Sequence, residues 1–284
     1  MKKNAAWLWG GVVLMALMAL PVVAAEPEKG GAAETSVEYP HRARYPELPI
    51  ITTADLTRRI KEVTVVDVRS RYEYETLRVK DAVNIPVSEG GFAGKIRELH
   101  ATRKQPLVFY CNGRTCKKSY DGARIAMHDD EINDVYVYDA GIFDWAKANP
   151  ASTELLGRGP IKPKDLIDPS EFHAHLLEPK DFEKRIGPGS IVVDIRDRAQ
   201  RDVSVFPFQE KHIALDQKAE MIAVINQAKR EGKTLLVYDK VGHQVQWVQY
   251  HLENSGVRNY YFLKGGEEGY FKATLGLSTL DKLK

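Results

Sequence analysis

Three short patterns occur twice in this chain, in the same order and at nearly the same spacing. Val65–Val66–Asp67–Val68–Arg69 returns as Val192–Val193–Asp194–Ile195–Arg196. Leu107–Val108–Phe109–Tyr110–Cys111 returns as Leu235–Leu236–Val237–Tyr238–Asp239, and Val135–Tyr136–Val137–Tyr138 before Gly141 as Tyr260–Tyr261–Phe262–Leu263 before Gly265–Gly266. Asp67 precedes Cys111 by 44 residues and Asp194 precedes Asp239 by 45; for the glycines, Gly141 and Gly266, the intervals are 74 and 72. One match alone is weak, but three in order mark an internal duplication. Apolar runs alternating with helix-capable stretches at this interval predict α/β units on a mostly parallel sheet. At 284 residues the chain has room for two such units.

The ends of the units follow from composition. Lys2 and Lys3 precede a short apolar core from Ala5 to Leu20, and Val23–Ala24–Ala25 supplies a small-residue cleavage site before Glu26. This is the pattern of a secretory signal peptide over residues 1–25, and the apolar run is shorter than the ~20 residues a membrane span needs. The expectation is an exported protein, periplasmic in a Gram-negative source, without a stable membrane span after cleavage. Residues 26–49 carry no apolar periodicity and read as a tether, poorly ordered or wrapped on a domain. Residues 50–150 form the first unit, with Thr53 as a helix N-cap. Residues 151–168, with Gly157, Gly159, Pro160 and Pro163, read as a linker. Residues 169–284 form the second unit. A net charge of +2, with basic residues scattered among acids, argues against a nucleic-acid partner.

The candidate chemistry lies at the end of the second pattern. The strand Leu107–Tyr110 stops at Cys111, a polar loop Asn112–Gly113–Arg114–Thr115–Cys116–Lys117 follows, and Ser119 to Met127 is helix-capable. A sulfur at a strand-to-helix junction faces loop N–H groups and the positive end of a helix dipole. Such a cradle favours thiolate, the nucleophilic form, and lowers a cysteine pKa from ~8.5 to roughly 3.5–7.5. Arg114, Lys117 and Lys118 add cations, so the stretch reads as a nucleophilic sulfur at a site built for an anion; the plainer reading is a buried cysteine ending a core strand. The chain has two cysteines, Cys111 and Cys116, both in this loop. That is too few for a disulfide scaffold or a zinc site, and no metal or cofactor is expected. Cys116 is open to three roles: packing, a resolving thiol, or a disulfide partner. A disulfide requires the loop to curl until the Cα atoms lie within about 7 Å.

Asp67–Val68–Arg69, Glu73–Tyr74, Asp81–Ala82–Val83–Asn84–Ile85–Pro86, the Tyr110–Cys111 loop and Gly141 through Trp145 together resemble the rhodanese family, in tandem over nearly all the mature chain. The resemblance implies two domains, each a parallel sheet flanked by helices. It also implies an activity in which Cys111 takes a sulfane sulfur from a donor such as thiosulfate, becomes a persulfide, and passes the sulfur to a thiol, cyanide or a protein acceptor. Two features depart from the family. Leu77–Arg78 stands where a Gly-His pair is usual, and the loop is about two residues longer than in common single-domain forms. Read as Cys-x5-Lys the loop has the length of the related protein-phosphatase loop, but Lys117 lacks the bidentate fork of the arginine used there. In the second unit Asp239 replaces the cysteine, so that half resembles the silent copy of tandem rhodaneses, with a scaffold or docking role.

The expected site therefore has Cys111 as nucleophile and sulfur carrier. Asn112, Gly113, Arg114, Thr115, Cys116 and Lys117 hold or steer the anion, and Asp67 and Arg69 support the loop. The alternatives are a non-catalytic module that binds an anion or partner in the same cradle, and a thiol redox protein using Cys111 and Cys116. An acid–base pair of Asp239 with His243 and a metal pair of His173 with His175 are weaker, the latter because side chains two apart point to different helix faces.

Overall fold

The computed structural model describes residues 39–129 and 132–276. The signal-peptide segment and most of the tether fall outside the described residues.

The first half runs α1 (Thr53–Arg59), β1 (Thr64–Asp67), α2 (Arg71–Thr76), β2 (Leu77–Val79), β3 (Val83–Asn84), α3 (Phe92–Arg103), β4 (Leu107–Tyr110), α4 (Lys118–Asp129), β5 (Val135–Tyr138) and α5 (Gly141–Ala148). β6 (Thr153–Leu155) follows. The second half runs α6 (Pro169–Ala174), β7 (Leu176–Leu177), α7 (Pro179–Glu183), β8 (Ser190–Asp194), β9 (Glu210–His212), α8 (Lys218–Glu231), β10 (Thr234–Tyr238), α9 (Val245–Asn254), β11 (Tyr260–Leu263) and α10 (Gly266–Leu275).

Two parallel sheets form, ordered β3-β1-β4-β5 and β9-β8-β10-β11-β7. Ile50 bridges Val137 on the outer edge of β5, where β7 pairs with β11 in the other sheet, so the two orders coincide. The registers coincide too: Asp67 lies opposite Tyr110, and Asp194 opposite Tyr238. Strands buried on both faces are expected to be continuous apolar runs, and β1 and β4 are buried at every position.

Strand alternation then divides the core. Val65, Val108 and Tyr110 share a cluster with Ile191, Val193, Leu235 and Val237 of the other half. Val66, Leu107 and Phe109 belong to a second cluster with Cys111, while Val192, Leu236 and Tyr238 belong to a third. Each sheet thus has one private face and one face looking onto a common core. Across that core Phe143 stacks on Trp247 (centroids 5.2 Å) and Tyr72 on His251 (4.8 Å). The aromatic residues Trp247, Tyr250, Tyr260 and Phe262 are buried, and Tyr261 is half-buried.

Two details differ from the sequence reading. The cap of α1 is Thr52, whose Oγ1 accepts from the Asp55 N–H at 3.1 Å, with Thr53 already helical. The segment 151–168 is not free linker: β6 pairs antiparallel with β2, and Ile161 is buried. Of the two readings of the tether, its described end follows the wrapped one, with Tyr45 and Leu48 buried and Arg42 ion-paired to Asp139 at 2.7 Å.

Candidate active site

Cys111 follows β4 directly and is 1% exposed. Its carbonyl accepts from the N–H of Ile142 at 3.0 Å, which ties the start of the loop to the start of α5. Gly141 makes that approach: its φ is +76°, and a Cβ there would stand 2.4 Å from both the N and the Cα of Gly113. Only glycine fits without moving the loop.

Beneath the loop lies a buried polar network. Asp67 Oδ1 accepts from the N–H and Nε of Arg69, both at 2.9 Å, and Oδ2 accepts from Arg69 Nη2 at 2.6 Å and from the Tyr110 hydroxyl at 2.5 Å. Arg69 is fully buried. Desolvation works against its charge, and Asp67 with Tyr110 and Glu73 outweighs it, so its pKa is raised above the ordinary value. The guanidinium also donates to the Leu77 carbonyl at 2.6 Å and to Asn112 Oδ1 at 3.2 Å. The Asn112 amide donates in turn to Glu73 Oε1 at 2.7 Å. Asp67 and Arg69 are thus joined to the loop through Asn112.

Glu73 is the member that the sequence reading left out of the site. It closes the capping box of α2, its Oε2 accepting from the Ser70 N–H at 3.0 Å while its Oε1 takes the Asn112 amide. The Ser70-x-x-Glu73 spacing is the signal for its capping role. Burial opposes its charge, but Arg69, the Asn112 amide, Lys118 and Ser70 together hold its carboxyl below the ordinary value.

The outer loop is held from other directions. Arg114 pairs with Asp144 at 2.8 Å and lies over the Tyr39 ring, and the Thr115 carbonyl is 3.0 Å from His41 Nε2. Lys117 pairs with Asp121 one helical turn on, at 3.3 Å. The two cations expected to steer an anion therefore each have a carboxylate beside them. The N–H of Cys116 is taken by the Gly113 carbonyl at 2.9 Å, which closes a tight turn.

That turn decides the state of the cysteines. α4 begins only at Lys118, so Cys116 lies in the curled loop, and its Cα stands 6.3 Å from that of Cys111. The two sulfurs are bonded as a disulfide. Cys116 remains partly exposed while Cys111 is closed off.

The second half repeats the frame with different contents. Arg196 holds Asp194 as Arg69 holds Asp67, and it adds a bond to Glu267 Oε2 at 2.7 Å. The N–H of Glu267 donates to the Asp239 carbonyl at 2.9 Å, as Ile142 does to Cys111. The carboxylate of Asp239 accepts from the N–H groups of Gly242, Gln244 and Val245, the last at 3.2 Å. This loop has the geometry of an anion cradle, and its own side chain fills it. A cleft of about 680 Å³ lies between the halves, lined by Ser70–Glu73, Lys118 and the Asp239 loop.

His173 and His175 do not converge: His175 Nδ1 lies 2.9 Å from the Tyr260 carbonyl, and His173 tilts against Phe172. Asp194, Glu210 and His212 bring ligand atoms within 4.8 Å of one another, but Arg196 already engages both oxygens of Asp194. No described helix is long and apolar enough to cross a membrane.

Residues 52–148 match the model of the rhodanese-like domain, so the first half carries such a domain. An HTH-type transcriptional regulator of Mycobacterium tuberculosis is 39% identical over 100 residues, covering 34% of this chain and 42% of that protein. The match thus spans less than half of the curated relative. Among solved structures, thiosulfate sulfurtransferase from Pseudomonas aeruginosa is 18% identical over 80% of this chain and 42% of its own, with a TM-score of 0.38. A single-domain sulfurtransferase of Saccharomyces cerevisiae is 19% identical over 34% of this chain and 88% of its own, with a TM-score of 0.28.

Proposed function

We propose that this chain is an exported sulfurtransferase that moves sulfane sulfur through a persulfide on Cys111. The observation that carries the reading is the placement of Cys111 within the matched rhodanese-like domain. It lies at the end of a central parallel strand, in a loop fixed from below by Asp67, Arg69, Asn112 and Glu73 and followed by the N-terminus of α4. In the reduced loop the Cys111 thiolate attacks the outer sulfur of a donor such as thiosulfate. The S–S bond of the donor breaks, sulfite leaves, and the sulfur stays on Cys111 as a persulfide. Loop N–H groups and the dipole of α4 offset the negative charge gathered there. A thiol, cyanide or a protein acceptor then takes the sulfur.

The second half is in this reading a second rhodanese-like domain that carries no sulfur. A carboxylate cannot form a persulfide, and the Asp239 side chain occupies the space an anionic donor needs. Its role is to complete the common core against which α2 and α5 pack. The apolar segment before Ala25 and its small-residue cleavage site support export.

Intact mass after thiosulfate exposure of the reduced protein tests this function. A gain of one sulfur, absent from Cys111→Ser, is the expected result in a chain that cannot close the disulfide. An unchanged mass in every form of the protein would point instead to a non-catalytic module.

A further inference from the structure

Resting on that reading, we propose that Cys116 is the built-in acceptor of the persulfide, so that the loop releases sulfide and closes to the disulfide found here. The protein then has a second activity, reduction of a sulfane sulfur donor at the expense of a dithiol.

The geometry carries this in three steps. First, the curl that brings the two sulfurs together is held by contacts besides the bond itself. The Gly113–Cys116 turn curls the loop, Ile142 and Gly141 fix its start, and His41 and Asp144 hold Thr115 and Arg114. A Cα separation of 6.3 Å lies inside the usual disulfide range, roughly 4.4–6.8 Å. Second, an internal thiol so placed has a large advantage over any thiol in solution, because its translational freedom is already lost. Third, in the oxidised loop Cys111 is closed off while Cys116 is partly exposed, so an external dithiol reaches the disulfide at Cys116.

The chemistry balances. Persulfidated Cys111 carries an inner sulfur bonded to an outer one. The Cys116 thiolate attacks the inner sulfur, the bond between inner and outer sulfur breaks, and the outer sulfur leaves as hydrosulfide. The sulfane sulfur is reduced by two electrons, and the two cysteines are oxidised to the disulfide. A dithiol reductant restores them by attacking the accessible Cys116 sulfur, with Cys111 leaving as thiolate into its cradle, and then closing on itself. The sum is donor plus dithiol giving sulfite, sulfide and an oxidised dithiol.

The test uses full-length protein, reduced, freed of reductant under anaerobic conditions and given one equivalent of thiosulfate, with sulfite, sulfide and intact mass measured together. The wild-type chain is expected to release sulfite and sulfide in equal amounts and to end two hydrogens lighter than the reduced form. Cys116→Ser is expected to release sulfite, gain one sulfur, and release sulfide at least ~10-fold more slowly. Cys116→Ala repeats the measurement in case serine disturbs the turn. Wild-type protein that keeps the added sulfur, or Cys116 variants that release sulfide at the wild-type rate, would overturn the proposal while leaving sulfur transfer intact. Absence of sulfite from every variant overturns the sulfurtransferase reading, and this proposal falls with it.

Discussion

Gly141 lies backbone against backbone with Gly113, so closely that a Cβ on the first would stand 2.4 Å from the Cα of the second. The other half has the same relationship, where a Cβ on Gly266 would stand 2.5 Å from the carbonyl oxygen of Asp239. Both glycines start a helix that supports the cysteine-position loop from beside it. Gly141→Ala is therefore expected to push the Cys111 loop away from α5 and to reduce persulfide loading severely. Gly91→Ala is the control, because its φ of +77° is nearly the same but nothing lies within 4 Å of the added Cβ. There the cost is the conformational one alone, ~1 kcal/mol. Urea unfolding and thiosulfate loading of both variants decide the matter. Equal behaviour of the two would mean that contact with the loop is unimportant.

Arg69 and Asp67 form a fully buried ion pair, and Arg69 alone links Asp67, the Leu77 carbonyl and Asn112. Arg69→Met leaves Asp67 as an uncompensated buried charge, which typically costs about 3–5 kcal/mol. Arg69→Lys is not conservative here, since one ammonium cannot span three acceptors with the geometry of a fork. Chemical denaturation is expected to show a large loss for both, with methionine the worse. A loss under ~1 kcal/mol for Arg69→Met would show that Asp67 does not depend on Arg69 as its partner.

Asp239 predicts the opposite separation of stability and activity. Asp239→Ala removes the acceptor of the Gly242, Gln244 and Val245 N–H groups, and unsatisfied buried donors cost about 1–3 kcal/mol each way of counting. Sulfur loading on Cys111 should persist, because the thiol and its loop belong to the other half. Because the emptied loop keeps its inward N–H groups, sulfate is expected to restore part of the lost melting temperature in the variant and little in the parent. Loss of Cys111 loading in a folded Asp239→Ala protein would show that the second loop takes part in the chemistry.

Much of this architecture was legible because it depends on local pattern. The apolar runs from Val65 and from Ile191 became β1 and β8, and the repeat anticipated that Cys111 and Asp239 would hold equivalent places. What escaped were partnerships between distant residues. Arg114 reads as a free cation until folding brings Asp144 to it from 30 positions away. Lys117 pairs with Asp121 only four positions on, but with Lys117 read as a loop residue before the helix that pairing went unread. β6 was missed because three residues, Thr153 to Leu155, are too short for alternation to register, and their strand exists only by pairing with β2. Thr52 and Thr53 are adjacent and equally able to cap, so the one-residue error there had no local signal to prevent it. The sequence reading began this helix at Ser119, one residue past the observed start at Lys118, and left the disulfide as one of three roles because the curl of the loop rests on the Gly113–Cys116 turn, which spacing alone does not announce.

His251 makes the junction between the halves sensitive to acid. Its ring stacks on Tyr72, its Nε2 lies 2.9 Å from Thr76 Oγ1, and Lys218 and Glu75 are the charged groups that act on it. Burial first, and then Lys218, lower its pKa to about 4 from an ordinary 6.5, against a smaller opposing effect of Glu75. Between those two values the unfolded chain binds a proton at this site and the folded chain does not. Stability therefore rises with pH through that window, and the contribution present above about pH 6.5 is lost on acidification towards pH 4. Between pH 7 and pH 5 the loss from this one group is about 2 kcal/mol. His251→Phe keeps an aromatic ring against Tyr72 and cannot titrate, while Thr76 Oγ1 retains its bond to the Tyr72 carbonyl at 2.7 Å. Urea unfolding at the two pH values should thus show a smaller difference in the variant than in the parent, by about that amount. An undiminished difference would mean that His251 titrates normally in the folded protein and that carboxylates elsewhere set the acid sensitivity.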